Sequence, residues 1–264
     1  MNPKQVLSKL SLLFFIPLFY MNAQNYVGGG FGGSDFHILD EHASQLIFGS
    51  IGIASGIQFI HKGEMGLHNV EISYYNNYLS SPSSNFNTES WRAGIRYTYM
   101  LLAANPELFG KTCGVYFGGS VGTFFSRQDY YYYYKPAEAN AVADVSWIWS
   151  HSVDISAEFD YNIAEREYVS GQIDMPLLSN ISRPEYSSSG DYNYSENTWK
   201  IKMFGTTELF PNNFSLDFHL NYQRPLYWNF NIQFSYEFYY SFYNKPSDIR
   251  MYANNFCGGL FYCF

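Results

Sequence analysis

Asp217 and His219 stand two residues apart in "NFSLDFHLNY" (Asn213–Tyr222). In an extended chain such residues share a face, and an aspartate that orients a histidine is sound general-base chemistry. Asp35-Phe36-His37 repeats the tripeptide, so it arises cheaply, and an ordinary polar lining is the competing reading. Gly118-Gly119-Ser120-Val121-Gly122 matches G-x-S-x-G. A nucleophile there needs a strand, a sharp turn and a helix. Here the motif sits inside a glycine-rich extended stretch, where small residues are expected to make room for bulky neighbours. His37, His42, His61, His68, His151 and His219 show no close metal spacing such as H-E-x-x-H. No phosphate-cradling glycine loop is present, and neither a cofactor nor a metal is expected. The formal net charge of −8 argues against nucleic acid.

The elements that carry these residues read as long strands. In "WNFNIQFSYEFYYSF" (Trp228–Phe242) the even positions are aromatic or aliphatic, and the odd ones are mainly amides, serines and Glu237. Alternation with period two is a strand signal. Soluble strands are usually about 5–6 residues, whereas a membrane-crossing strand needs about 9–11. A soluble sandwich would alternate too, but with shorter strands and a mostly aliphatic face. The same two-faced pattern sets Trp91, Ile95, Tyr97 and Tyr99 against Arg92 and Arg96. It sets Val145, Trp147, Trp149, Val153, Ile155 and Phe159 against Ser146, Asp154, Glu158 and Asp160. His68 and His151 fall on the apolar side, which implies an interface position or a bulge. Residues 43–60 carry no charge and contain the G-x-x-x-G of Gly52 and Gly56, but their isoleucines are all odd-numbered up to Ile57, so this is a strand too.

Ten strands are predicted at 26–39, 45–61, 65–79, 88–103, 111–126, 141–162, 167–179, 213–223, 226–244 and 249–264. Connectors alternate between short turns and longer loops, the long ones near 127–140 and 178–212. The segment 200–210 is open to three readings: a loop helix, an inward plug, or a strand pair that would make twelve. Charged residues are only 14% of the chain and aromatics 21%, against roughly 25% charged in soluble domains. The fold class expected is all-β: a transmembrane antiparallel up-and-down β-barrel, apolar outside and polar inside. Lys4 and Lys9 precede an apolar run from Leu10 to Tyr20 and then "MNAQ". Residues 1–23 therefore read as a secretory signal peptide, and 24–264 as the barrel domain with both termini periplasmic. Cys113, Cys257 and Cys263 are too few and too scattered for a disulfide framework.

The chain ends "LFYCF", with Leu260, Tyr262 and Phe264 on one face. This resembles the C-terminal recognition strand of outer-membrane barrels. With the leader and the aromatic strands, the mature chain resembles the uncharacterised outer-membrane β-barrel proteins of Bacteroidota. That resemblance implies a Gram-negative outer membrane, contact with its lipid and lipopolysaccharide, and insertion by the barrel-assembly machinery. The Asp217-x-His219 pair is similar to that of the ten-stranded omptin proteases, but the second acidic pair of that family has no counterpart at a matching strand top. The expected lumen network is Glu71, Arg92, Arg96, Asp154, Glu158, Asp174, Asp217 and Glu237, either filling the barrel or acting as a selectivity ring. Tyr130, Tyr131, Tyr132, Tyr133 and Tyr134 are expected on an outer loop, to bind a glycan or protein or to extend an aromatic girdle. The function expected is that of a monomeric, non-enzymatic surface-binding barrel or narrow porin-like channel. The alternatives are an outer-membrane hydrolase using Asp217 and His219, and a structural or assembly component of the envelope.

Overall fold

Extended, period-two segments in hydrocarbon have one way to satisfy every backbone N–H and C=O, which is to close on themselves. The computed structural model describes residues 24–41, 44–81, 87–131, 142–184 and 201–264; the expected leader (1–23) and Tyr132–Tyr134 lie outside them. Ten long strands form the wall: β1 (Gln24–Asp40), β2 (Ser44–Lys62), β3 (Gly66–Ser80), β4 (Asn87–Ala104), β6 (Lys111–Tyr131), β7 (Val142–Ala164), β8 (Glu167–Ser182), β10 (Asn213–Tyr227), β11 (Phe230–Tyr243) and β12 (Ile249–Cys263). Two short ones, β5 (Glu107–Leu108) and β9 (Thr206–Leu209), pair with β6 and β8 respectively. Each long strand pairs antiparallel with the next, and β1 pairs with β12 from Tyr26–Cys263 to Asp40–Ile249. The ladder is therefore a closed up-and-down barrel.

The predicted strands all appear, and their ends differ in an informative way. β6 runs on to Tyr131 and β8 to Ser182, so the walls persist through positions expected to be loop. The 200–210 segment adds no stave: β9 lies against the loop-end edge of β8, pairing Leu178–Ile181 with Leu209–Thr206. The staves number ten.

Parity sorts the side chains as hydrocarbon requires. Phe31, Ile57, Ile95, Phe117, Ile155, Phe234, Phe256 and Leu260 are exposed on the outside, while Ser34, Arg92, Asp174, Asn231 and Asn255 are buried inside. A protein in water would do the reverse. The outer face carries an aromatic group at each end. On β4, Trp91 packs with Phe125 at 5.0 Å on one side, and Tyr99 packs with His68 at 4.6 Å on the other. Eight residues span about 26 Å along a strand and about 20 Å along the axis at the usual tilt, close to the apolar band of known barrels. His68 and His151 lie near these two levels. His68 Nδ1 is 2.8 Å from Tyr97 Oη, and His151 Nε2 is 2.9 Å from the Met203 carbonyl. The β7–β8 register also shifts between Val153 and Asp154. Val145 and Trp147 keep the outward parity but are buried, with Trp147 only 2% exposed and stacked toward Phe125 at 6.5 Å. They lie beyond the Trp149–Ser182 pair where β8 ends, above the apolar band.

Gln24, Phe264 and the connections 63–65, 105–110, 165–166 and 228–229 gather at one end, hereafter the turn end; the other is the loop end. Arg166 and Trp228 turn their chains at φ 60° and 52°. The Arg166 guanidinium donates two 3.1 Å hydrogen bonds to the Trp228 carbonyl and so ties the two hairpins together.

Arginine at Ile95, in mid-band, should cost about 2–4 kcal/mol, whereas arginine at Trp228, at the turn end, should cost about 0–1 kcal/mol. Urea unfolding in lipid vesicles checks the difference; equal costs would contradict the depth assignment.

Candidate functional site

Inward residues from neighbouring staves meet because register puts them level. Arg96 pairs with Glu71 on β3 and with Gly122 on β6, and Asp217 pairs with Asp174 across β10 and β8. Gly122 presents no side chain beside the Arg96 stem, which leaves the guanidinium free to cross the lumen. Its Nη1 donates to Asp174 Oδ2 at 3.2 Å and lies 3.1 Å from His219 Nε2, and its Nη2 bonds Asp217 Oδ2. His219 Nε2 is also 3.1 Å from Asp217 Oδ1. Ser156 and Gln172 donate to Asp174. A single guanidinium thus bridges two buried carboxylates drawn from the opposite wall, with His219 beside Asp217. Asp174, Asp217 and His219 are close enough to share a metal ion, but Arg96 already supplies a cation among them, so this arrangement is an ion-pair knot.

Arg92, 1% exposed, lies on the loop-end side of that knot. It donates to Ser34 Oγ at 2.8 Å, and its guanidinium lies over the Phe36 and Tyr75 rings at 3.8 and 4.6 Å. Glu237 accepts from Tyr75 Oη at 2.7 Å and Asn255 Nδ2 at 2.9 Å. Asp154 accepts from Ser120 at 2.9 Å and Ser152 at 3.2 Å. Ser120, the candidate nucleophile of the G-x-S-x-G run, is therefore a carboxylate donor in mid-strand. Glu158 borders the same small space as Lys62 and Asp160, which form an ion pair lower in the barrel.

Apolar layers bound this charged zone at both ends. Toward the turns, Tyr26, Ile60, Leu67, Met100, Tyr116 and Phe261 pack as a floor. Toward the loops, residues including Phe36, Ile38, Phe48, Leu79, Tyr130, Ile148, Ile181 and Met251 pack as a roof. A buried rim clamp lies at the loop-end edge of the roof. Arg183 bonds Asp40 at 2.9 Å and the carbonyls of Lys245 and Ser247, while Ser146 donates to the other Asp40 oxygen. Beside it Lys245 Nζ lies 2.6 Å from Glu208 Oε1, and that hydrogen bond holds the Glu208 carboxyl below its ordinary value. Between floor and roof lie cavities of about 100, 90 and 20 Å³. The smallest has room for about one water.

The sequence-predicted residues divide accordingly. All eight lumen charges line this interior. Seven of them border the 100 Å³ cavity, namely Glu71, Arg92, Arg96, Asp154, Asp174, Asp217 and Glu237, and Glu158 borders the smallest one. Tyr130 is corrected: it is 2% exposed, points inward and packs edge-on against Phe48 at 5.4 Å, so it offers no outer binding surface. Tyr131 is the last residue of β6. Leu260, Tyr262 and Phe264 are exposed along the outside of the closing strand. Lys62, Asp40 and Arg183 were missed. The first two are each the last residue of a strand predicted to stop one position earlier, and their even parity, matching that of the inward residues, was the available signal.

No protein-family model matches the sequence, nor does any curated protein. Solved structures of similar size do. The outer membrane protease OmpT from Escherichia coli is 10% identical, with 92% of this chain and 96% of that one covered and a TM-score of 0.47. The translocator domain of the autotransporter NalP from Neisseria meningitidis is 8% identical, with 99% and 98% covered and a TM-score of 0.37. Neisserial surface protein A is 10% identical, with 91% and 97% covered and a TM-score of 0.33. The barrel assignment rests on the closed ladder and its inverted polarity, not on these scores.

Replacing Arg96 with Met strands Asp174 and Asp217 without a counter-charge and should cost roughly 3–5 kcal/mol. The triple variant Arg96→Met, Asp174→Asn, Asp217→Asn should recover most of that loss. Urea titration of the folded barrel reads both, and an Arg96→Met variant as stable as the parent would contradict the knot.

Proposed function

We propose that the protein is a non-conducting outer-membrane β-barrel of a Gram-negative envelope, which acts through its outer wall and loop end rather than as an axial channel. In this reading residues 1–23 direct export, and the chain ends and short turns face the periplasm. Leu260, Tyr262 and Phe264 serve recognition by the assembly machinery, and the staves of β6 and β7 rise beyond the lipid to carry loops that meet a glycan or protein. The observation that carries it is the apolar floor and roof around the charged lumen, with the Asp40–Arg183 clamp over the roof. An ion moving along the axis would have to pass both clusters, past the buried Lys62–Asp160 pair at the floor and the Asp40–Arg183 pair at the roof, and burying an unpaired charge there is costly.

The channel reading would need a water-filled path past both clusters, and the cavities between them are only about 100, 90 and 20 Å³. The hydrolase reading is weaker because His219 Nε2 is taken up by Arg96 and Asp217 inside the barrel, whereas a general base must reach the proton it removes.

Planar-bilayer recording of the full chain in concentrated KCl should show no stable unitary steps. Steady ohmic steps that survive purification to a single band would overturn the proposal.

A further inference from the structure

The barrel wall has one incomplete seam. β8 and β10 pair from Tyr168–Gln223 to Asp174–Asp217, and there the ladder stops. Beyond it, Asn213–Leu216 continue to pair with β11 only, while Leu178–Ile181 pair with β9. Pro176, which has no N–H to offer, stands in the gap, and the β7–β8 bulge lies beside it. Two hydrogen bonds bridge the opening: Asn213 Nδ2 to Ser179 Oγ at 2.9 Å on the inside, and Phe210 N to the Leu177 carbonyl at 3.2 Å. Asp217 lies ten residues from Tyr227, the last residue of β10. The gap therefore begins about 25 Å above the turn end, at the loop-side edge of the apolar band.

The largest cavity comes to this gap. Pro176, Ser179, Asn213 and Ser215 line it together with the charged residues of the knot. Five carboxyl groups face two guanidinium groups and the His219 imidazole there, so acidic groups outnumber basic ones. Glu71 borders both large cavities and makes no hydrogen bond or ion pair among the described residues. On the outer side the gap is bordered by the apolar side chains Leu177, Leu209 and Phe210, each at least 48% exposed. Apolar clusters lie at both ends of the cavity along the axis, and at its side the wall lacks β8–β10 backbone pairing and is held by the Asn213–Ser179 and Phe210–Leu177 hydrogen bonds.

We propose that the β8–β10 seam is a lateral portal through which a long-chain amphiphile with a cationic amine head enters the lumen. The ammonium lies against Glu71 and the carboxylates around it, and the alkyl chain stays outside along Leu177, Leu209 and Phe210. Entry requires the two bridging hydrogen bonds to open and β9 to yield at the edge of β8. The excess of carboxylate selects against anionic amphiphiles, and the cavity's size limits the head to a small amine. The inference rests on the axially closed lumen proposed above.

The test uses the full-length barrel, with its three cysteines replaced by serine, in phosphatidylcholine nanodiscs. The probe is a hexadecyl amine bearing a diazirine near the nitrogen, with the matching fatty acid as comparison. Mass spectrometry should find adducts on cavity residues such as Ser215 and Tyr239 with the amine and not with the acid. Introducing Ser179→Cys and Asn213→Cys staples the seam: cavity adducts should vanish on oxidation and return on reduction. If the staple does not form, Ser215→Trp, confirmed as folded by heat-modifiable gel migration, should abolish them instead, and Glu71→Gln should weaken them with the wall intact. Adducts confined to the outer wall, or equal cavity labelling by amine and acid, would overturn the proposal. Cavity labelling unaffected by the oxidised staple would overturn lateral entry and point to an axial path, which the bilayer recording would register independently.

Discussion

Every feature of this chain follows from the need to pair backbone polar groups where there is no water to pair them. In hydrocarbon an open edge costs several kcal/mol per unsatisfied group, so β1 must find β12 and β8 must find β10. Closure then fixes all else. Period-two alternation becomes an outside and an inside, the outside turns apolar, and polar side chains have nowhere to go but the axis. The interior is narrow enough for side chains to reach across it, so charges brought there must be satisfied by one another. Arg96 does so by spanning the lumen to Asp174 and Asp217. The place where backbone pairing lapses, above Asp174–Asp217, is where the wall can be expected to act.

The layering inside the barrel is what the proposed non-conducting role rests on. Charged and amide groups occupy the middle, and aliphatic and aromatic side chains close both ends. A selectivity ring works when water reaches it from two sides; a ring sealed between hydrophobic layers stiffens the barrel instead. Asp217 and His219 lie in the same layer, where His219 Nε2 is within 3.1 Å of both Arg96 and Asp217.

Much of this was legible in the residues. The inward set from Glu71 to Glu237 follows from parity alone, because a one-residue slip would expose the whole lumen set to lipid, whereas the sequence left ten or twelve strands open at 200–210. What parity could not supply is height. Tyr130 alternates like any stave residue, and only the continuation of β6 to Tyr131 turns it inward against Phe48. Roof and floor were invisible for the same reason. Inward apolar residues such as Ile38, Met100 and Met251 break no pattern, and their clustering depends on which levels of distant staves coincide. Lys62 and Asp40 were lost to strand ends placed one residue short. The excursion of β9 breaks the regular staves: Pro211 and Asn212 mark a turn, but nothing in the spacing says that Thr206–Leu209 would take up the edge of β8.

The claim on which all of this stands is that lipid surrounds the even face of β11 while the odd face is turned to the axis. Nitroxide labels placed singly at Phe234, Ile95, Gln233 and Glu237 in vesicles test it through collision with oxygen, which concentrates in lipid, and with a nickel chelate, which stays in water. Phe234 and Ile95 should favour oxygen strongly, and Gln233 and Glu237 should be shielded from it. Labels at Phe234 and Ile95 that collide with the chelate, while those at Gln233 and Glu237 collide with oxygen, would contradict the account.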